Sequence, residues 1–129
     1  MATWSDVRTV ALGLPEVGES DARGRLEWRV RDKGFVWERA LRRADLAALG
    51  DAAPEGPVLA AWVPDLGAKE ALLADDPAVY FTTPHFNGYP VVLIRLEELD
   101  PAELPELVTE AWLARAPKRL ARQFLDAAT

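Results

Sequence analysis

Apolar and charged residues alternate between positions 26 and 31, which is the pattern of a strand with one buried face. Residues 32–34 have the composition of a tight turn and an apolar run follows them, so the pattern predicts a β-hairpin. In the register that we expect, Trp28 faces Trp37 on one side of this hairpin and both rings are largely buried. The arginines of the first strand then project from the opposite side.

Three further apolar runs predict strands in the interior of a sheet. They are Val58–Val63, Val79–Thr82 and Val91–Leu96. A loop separates the last two strands, and it contains Pro84 and Pro90. Because proline donates no backbone hydrogen bond, neither strand is expected to continue through this loop. With the hairpin, these runs predict an antiparallel sheet of about five strands.

Helical spacing of apolar residues predicts helices near both ends of the chain and between the strands. Thr3 is expected to cap the first helix, with Asp6 completing a capping box. Pro117 lacks an amide proton and its ring clashes with the carbonyl four residues earlier, so we expect a break in the C-terminal helical region. The predicted helices cover 4–14, 42–49, 66–74 and 101–125, whereas residues 16–24 are predicted to be irregular.

These elements predict an α+β fold. The expected architecture is a two-layer sandwich, with the N-terminal and C-terminal helices packed on one face of the antiparallel sheet. The other face is expected to be open and to carry the hairpin arginines. A length of 129 residues, half of them hydrophobic, is typical of one domain, which we expect to span 1–129.

Several classes of protein are disfavoured by composition. No apolar run approaches the roughly 20 residues that a membrane span needs, and residues 1–6 lack the basic start of a signal peptide. The chain contains no cysteine, which excludes disulfides and thiolate chemistry. We therefore expect a cytoplasmic protein without membrane contact, present as a monomer or weak dimer.

Catalytic signals are sparse. The chain has one histidine, and its serines, Ser5 and Ser20, do not lie in a nucleophile elbow. No metal-ligand spacing and no glycine-rich phosphate-binding motif is present. The sequence thus predicts a protein that is not an enzyme, with no catalytic residues, no metal site and no cofactor.

The proline-containing loop is the first candidate binding element. It is expected to be rigid, because its two prolines restrict the backbone and its Asn-Gly pair suits a tight turn. For the histidine in this loop, three roles remain open: a hydrogen bond to the turn backbone, contact with a ligand or partner, and general-base catalysis. The candidate ligand-binding residues are His85, Phe86, Asn87 and Tyr89.

The basic residues form the second candidate element. The net charge of −6 argues against a surface that attracts nucleic acid everywhere. The charge is segregated, however, with eight basic and three acidic residues in 23–43 but six acidic and no basic residues in 97–110. Candidate nucleic-acid contacts lie on the hairpin and the last helix: Arg25, Arg29, Arg31, Lys33, Arg115, Lys118, Arg119 and Arg122. Alternatively, the hairpin arginines are a solvated face or pair with the acids of 97–110, within the chain or in a second copy.

The order of these features resembles the MmcQ/YjbR family. The resemblance rests on the segment Leu14–Glu19, the hairpin Trp28–Trp37 with its Lys-Gly-Phe tip, the strand Val58–Val63, and the histidine-containing loop between two strands ahead of an acidic helix. It covers nearly the whole chain. It implies a frataxin-like α+β "double wing" fold and a DNA-binding function.

Two functions follow from these observations. The resemblance favours a DNA-binding or regulatory module without catalysis. The alternative is a small-molecule or protein-binding domain that uses the loop around His85, with the aromatic rings supplying contact area and the polar side chains supplying anchors.

Overall fold

Six β-strands form one antiparallel sheet in a computed structural model that describes residues 1–127, apart from the side chain of Ala22. The strands are β1 (Val17–Ser20), β2 (Glu27–Val30), β3 (Lys33–Glu38), β4 (Val58–Trp62), β5 (Tyr80–Phe81) and β6 (Val91–Arg95). Their order across the sheet is β1-β2-β3-β4-β6-β5. The predicted domain of 1–129 extends two residues beyond the described range.

Five α-helices accompany the sheet among the described residues. They are α1 (Trp4–Leu12), α2 (Arg43–Leu49), α3 (Leu66–Asp75), α4 (Leu104–Arg115) and α5 (Lys118–Ala127). The predicted capping box at Thr3 and Asp6 is confirmed, because each side chain accepts a hydrogen bond from the other residue's amide. The break at Pro117 is also confirmed: α4 ends at Arg115 and the backbone of Ala116 is extended. None of the described helices is long and apolar enough to cross a membrane.

The larger hydrophobic core lies on one side of the sheet, which we call the first face. Helices α1 and α4 cover it, and side chains from α3 and α5 pack at its margins. Trp28 and Trp112 are completely buried here. Their indole N–H groups are bonded as well, that of Trp28 to Glu19 at 2.9 Å and that of Trp112 to the carbonyl of Pro15 at 3.1 Å. The fold class is therefore α+β, as predicted.

The opposite side of the sheet, the second face, carries a smaller apolar cluster. Its buried members are Val58, Ala60, Phe81, Phe86, Val91 and Leu93. Leu41 and Leu49 pack against it from the segment around α2, while Trp37 and Trp62 are only half-buried. The second face is thus partly covered and apolar at its centre, rather than open and basic as expected.

Strand β1 was not anticipated, since residues 16–24 were predicted to be irregular. Val17–Ser20 has little apolar alternation, and its strand conformation comes from pairing with β2, where Val17 lies opposite Val30. An ion pair between Arg8 of α1 and Glu19, at 2.7 Å, ties β1 to the helix layer. A strand that depends on its neighbour in this way leaves a weak signal in its own sequence.

The predicted pairing of Trp28 with Trp37 is wrong. Val30 pairs with Lys33, because the two intervening residues both adopt positive φ in a two-residue turn. A register shift after Trp28 then places that residue opposite Val36. Trp28 therefore faces the first core as expected, whereas Trp37 projects from the second face.

Candidate functional site

The loop between β5 and β6 is folded tightly onto itself. Pro84–Phe86 forms a 3₁₀ turn, and Gly88 adopts a φ of 82°, a conformation that suits glycine. The amide of Phe86 donates to Thr83 at 3.0 Å, and the amide of Tyr89 donates to Phe86 at 3.1 Å. The predicted tight turn is therefore formed by local backbone hydrogen bonds.

A buried lysine of α3 holds this loop in place. Lys69 of α3 is only 6% exposed. Its ammonium donates to the carbonyl oxygens of Phe86 at 2.7 Å and Tyr89 at 2.9 Å. Burial lowers the pKa of Lys69, because desolvation disfavours the charged amine. The sequence analysis did not identify Lys69 as a functional residue, although a single lysine among the leucines of α3 was a visible signal.

Phe86 anchors the loop to the second face. Its ring is buried, the Arg39 guanidinium stacks over it at 5.0 Å, and the Trp37 ring lies 6.5 Å away. Arg39 in turn donates to Asp45 at 2.9 Å. Burial alone would raise the pKa of Asp45, but bonds from the Arg42 amide and the Arg39 guanidinium lower it overall. The charged pair therefore holds Arg39 against the Phe86 ring.

Next to this anchor is a pocket of about 250 Å³, which we call the aromatic pocket. Its walls are mainly aromatic and come from β3, β4 and the loop: Trp37, Trp62, His85, Phe86, Tyr89 and Val91. Tyr89 is 57% exposed, so one wall of the pocket faces solvent. Three of the four predicted ligand-binding residues therefore meet in one pocket, while Asn87 is exposed and is not part of its lining.

Several polar atoms at the aromatic pocket lack partners. Within residues 1–127, no hydrogen bond involves the ring nitrogens of His85, the hydroxyl of Tyr89, or the indole N–H groups of Trp37 and Trp62. His85 is exposed and its ring packs edge-on against Phe86, with centroids 4.7 Å apart. His85 therefore does not bond to the turn backbone, and this one of its three predicted roles is wrong.

Arg115 places a cation beside this pocket. Its guanidinium lies 4.2 Å from the centroid of the Trp62 ring, and its Nε donates to the Gly34 carbonyl at 3.2 Å. Stacking on tryptophan is a favourable position for a guanidinium. Arg115 thus joins the end of α4 to the hairpin and is less available as a phosphate contact than predicted.

The hairpin arginines pair with nearby acids. Arg31 makes two hydrogen bonds to the Glu16 carboxylate, at 2.7 and 3.0 Å, and Arg29 pairs with Glu27 at 2.6 Å. Hydrogen bonding to Arg31 lowers the pKa of Glu16. The alternative that these arginines pair with the acids of 97–110 within the chain is therefore wrong, because Glu16, just before β1, and Glu27 of β2 supply the carboxylates.

The remaining basic candidates are solvent-exposed. Arg25 and Lys33 lie on the hairpin, and Lys118, Arg119 and Arg122 lie on α5. None of these five makes an ion pair with another described residue. In the same part of the chain, no three histidine or acidic side chains converge on a possible metal position.

Comparisons with known proteins agree with this architecture. The crystal structure of a Deinococcus radiodurans protein with a DUF419 domain superposes with a TM-score of 0.65, covering 88% of this chain and 78% of that one. At 20% identity, this likeness concerns the fold alone.

Close sequence relatives are found in mycobacteria. Uncharacterised proteins of Mycobacterium tuberculosis and Mycobacterium bovis are each 50% identical to this chain over 128 residues, covering 97% of both sequences. The YjbR family model matches residues 12–114. The chain therefore belongs to the YjbR family.

Proposed function

We propose that this protein is a non-catalytic binding module whose recognition site is the aromatic pocket. The ligand is a flat ring, either of a small molecule or of an aromatic side chain on a protein partner. One observation carries the proposal: the pocket combines aromatic walls with polar atoms that have no partner in the described chain. Apolar walls with a few convergent polar groups are the usual composition of a ligand site.

The size of the pocket limits the ligand. A volume of about 250 Å³ is below the range of most drug-sized sites and suits one ring system rather than an extended molecule. Offset or edge-on contact between a ring and aromatic walls contributes about 0.5–1.5 kcal/mol per pair beyond buried area. The ring would therefore supply most of the affinity.

The polar atoms determine which rings fit. The indole N–H groups of Trp37 and Trp62 are donors only, whereas the Tyr89 hydroxyl both donates and accepts. A ring bearing a carbonyl or a ring nitrogen at its edge would match these donors. Lys69 supports the site indirectly, because it holds the loop before any ligand arrives and so reduces the entropy lost on binding.

The surroundings of His85 favour binding over catalysis. A histidine that acts as a general base is usually oriented by a third group through its other ring nitrogen. His85 has no such partner among residues 1–127, and its ring contacts Phe86. A role in ligand contact requires neither an orienting acid nor a nucleophile.

The proposal is tested by titrating the protein with uncharged single-ring probes, namely benzamide, indole-3-acetamide and adenosine, and following the backbone amides of residues 84–91. Saturable shifts are expected in the wild type. Tyr89→Ala should weaken binding, whereas the control Leu125→Ala removes a similarly exposed side chain, 50% against 57%, outside the pocket and should not. Equal binding by the two variants would contradict the proposal.

DNA binding is a second candidate, and the position of Arg115 favours it. This residue places a cation on the half-buried Trp62, and α5 with its exposed basic residues begins three positions later. Aromatic stacking beside basic residues suits single-stranded nucleic acid.

A salt series with a short single-stranded oligonucleotide separates this candidate from the first. Replacing Lys118, Arg119 and Arg122 with Gln should reduce both the affinity and its salt dependence, while Arg29→Gln with Arg31→Gln serves as the control. Absence of binding at about 50 mM salt, where phosphate contacts are strong, would refute it.

A further inference from the structure

A groove between α3 and α4 has a different chemistry from the aromatic pocket. We propose that it binds an organic cation, an ammonium group carried on a small apolar body. This site lies on the first-face side of the sheet, because its central residue Tyr80 pairs with Ile94, a member of the first core. It therefore does not depend on the aromatic pocket being a binding site.

The floor of the groove is apolar. The cavity has a volume of about 350 Å³, and its floor includes Val63, Ala68, Leu72 and Leu107. This volume lies within the range of small-molecule sites. A ligand with an apolar portion would remove this surface from water, which is the general driving force for such binding.

The rim of the groove is acidic. Glu103, Glu106 and Glu110 line it. They are spaced by three and four residues, so they form one stripe from the N-cap of α4 to the middle of the helix. All three are exposed, and none is paired with a cation among the described residues. Like charges at this spacing repel each other, and the helix dipole favours only those in the first turn. Stability therefore does not explain Glu110, whereas a cationic ligand does.

Tyr80 provides an independent indication of a ligand. Its side chain lines the groove and the residue is only 7% exposed, yet its hydroxyl makes no hydrogen bond within residues 1–127. A hydroxyl that lines the groove and bonds to no described residue keeps its donor and acceptor positions for a ligand. Burial, with further contributions from Glu103, Asp76 and Glu106, raises the pKa of Tyr80 to about 12. The phenol is thus neutral at physiological pH and lies near carboxylates, where an ammonium can donate to both.

This combination selects one class of ligand. The ammonium is placed among the glutamates and the phenol oxygen, and the apolar body covers the floor. A carboxylate at the same position would be repelled by the glutamates of the rim. A neutral alcohol would gain only the apolar contact with the floor. Three of the six acids in 97–110, which the aromatic pocket does not use, have a role in this arrangement.

The test uses 2-phenylethylammonium as the probe, with neutral 2-phenylethanol and anionic 3-phenylpropanoate as matched ligands, followed by calorimetry or amide shifts of α3 and α4. Saturable binding of the ammonium is expected, with weaker binding of the alcohol and none of the anion. The triple variant Glu103→Gln, Glu106→Gln, Glu110→Gln should weaken ammonium binding by about tenfold, or about 1.4 kcal/mol. The triple variant Glu55→Gln, Glu97→Gln, Glu98→Gln makes the same change in net charge at exposed sites outside the groove and should leave the affinity within about twofold.

A second variant isolates the phenol. Tyr80→Phe removes a hydroxyl that bonds to no described residue, so the denaturation midpoint should be retained while the affinity for the ammonium falls a few fold. The proposal is overturned by the absence of saturable ammonium binding at about 10 mM, the weak end for a ligand of this size. It is equally overturned if the alcohol binds as well as the ammonium, or if the two triple variants bind alike.

Discussion

The two faces of the sheet use tryptophan in opposite ways. On the first face, Trp28 and Trp112 are completely buried and both indole N–H groups are bonded. On the second face, Trp37 and Trp62 are half-buried and their N–H groups have no partner in the described chain. A satisfied, buried tryptophan serves the core, while a half-exposed ring with a free donor retains the capacity to bind something else.

The largest difference between the faces is expected in stability. Trp112→Ala should lower the free energy of unfolding by about 3–5 kcal/mol, because it leaves a cavity in the first core and unpairs the Pro15 carbonyl. Trp62→Ala should lower the free energy of unfolding by about 1 kcal/mol, the usual loss at a partly exposed position. Chemical denaturation of the two variants makes the comparison, and equal losses would contradict the distinction between the faces.

The next effect concerns the lysine that supports the second-face loop. Lys69→Met should lower the free energy of unfolding by about 1–3 kcal/mol, because it leaves the carbonyls of Phe86 and Tyr89 without their donor. Hydrogen exchange should show faster opening of residues 84–90 than in the wild type. A variant with the wild-type midpoint and unchanged exchange would show that Lys69 does not hold the loop.

The lowered pKa of Lys69 also predicts a dependence on pH. The folded chain binds fewer protons at Lys69 than the unfolded chain does as pH approaches the ordinary lysine value of 10.5. The free energy of unfolding of the wild type should therefore rise in that range relative to Lys69→Met. A constant difference between the two proteins over this range would contradict the assigned direction.

The two tyrosines provide a smaller contrast, since Tyr80 is buried towards the first face and Tyr89 is exposed on the second. In a Tyr89→Phe variant, absorbance of the remaining phenolate should appear with a midpoint near pH 12, because burial raises the pKa of Tyr80 to about 12. Between pH 10 and that value the folded state retains a proton that the unfolded state loses. The contribution of Tyr80 to stability should therefore fall as pH rises. Titration near pH 10 in the folded protein would contradict its burial.

The smallest effect is expected at the hairpin. Arg29→Gln with Arg31→Gln removes two exposed ion pairs, and the denaturation midpoint should stay within experimental error. Binding of benzamide at the aromatic pocket should also be unchanged, because neither arginine lines it. Loss of that binding would mean that the hairpin contributes to the recognition surface.

The sequence predicted the parts of the fold that depend on strong local patterns. The apolar runs predicted β4 and β6, and the cap at Thr3 predicted the start of α1. Pro117 predicted the break between α4 and α5. Strand β1 was missed because its conformation depends on pairing with β2.

The candidate site was only partly predictable. The loop residues were identified because prolines and an Asn-Gly pair mark a shaped turn. Trp37 was predicted to be buried beside Trp28 instead, since a one-residue difference in register reverses the face of every following side chain. The roles of Lys69 and Arg115 depend on contacts with residues distant in the chain, which no local pattern reports.

The central claim is that the second-face tryptophans, Trp37 and Trp62, are available for recognition, whereas Trp28 and Trp112 are sealed in the first core. The four indole N–H groups report on both directly. A ¹H–¹⁵N spectrum during titration with benzamide or indole-3-acetamide should show saturable shifts for the indoles of Trp37 and Trp62. Those of Trp28 and Trp112 should stay in place, since both are buried and bonded. No movement of Trp37 and Trp62 at about 10 mM probe, or equal movement of all four, would contradict the account.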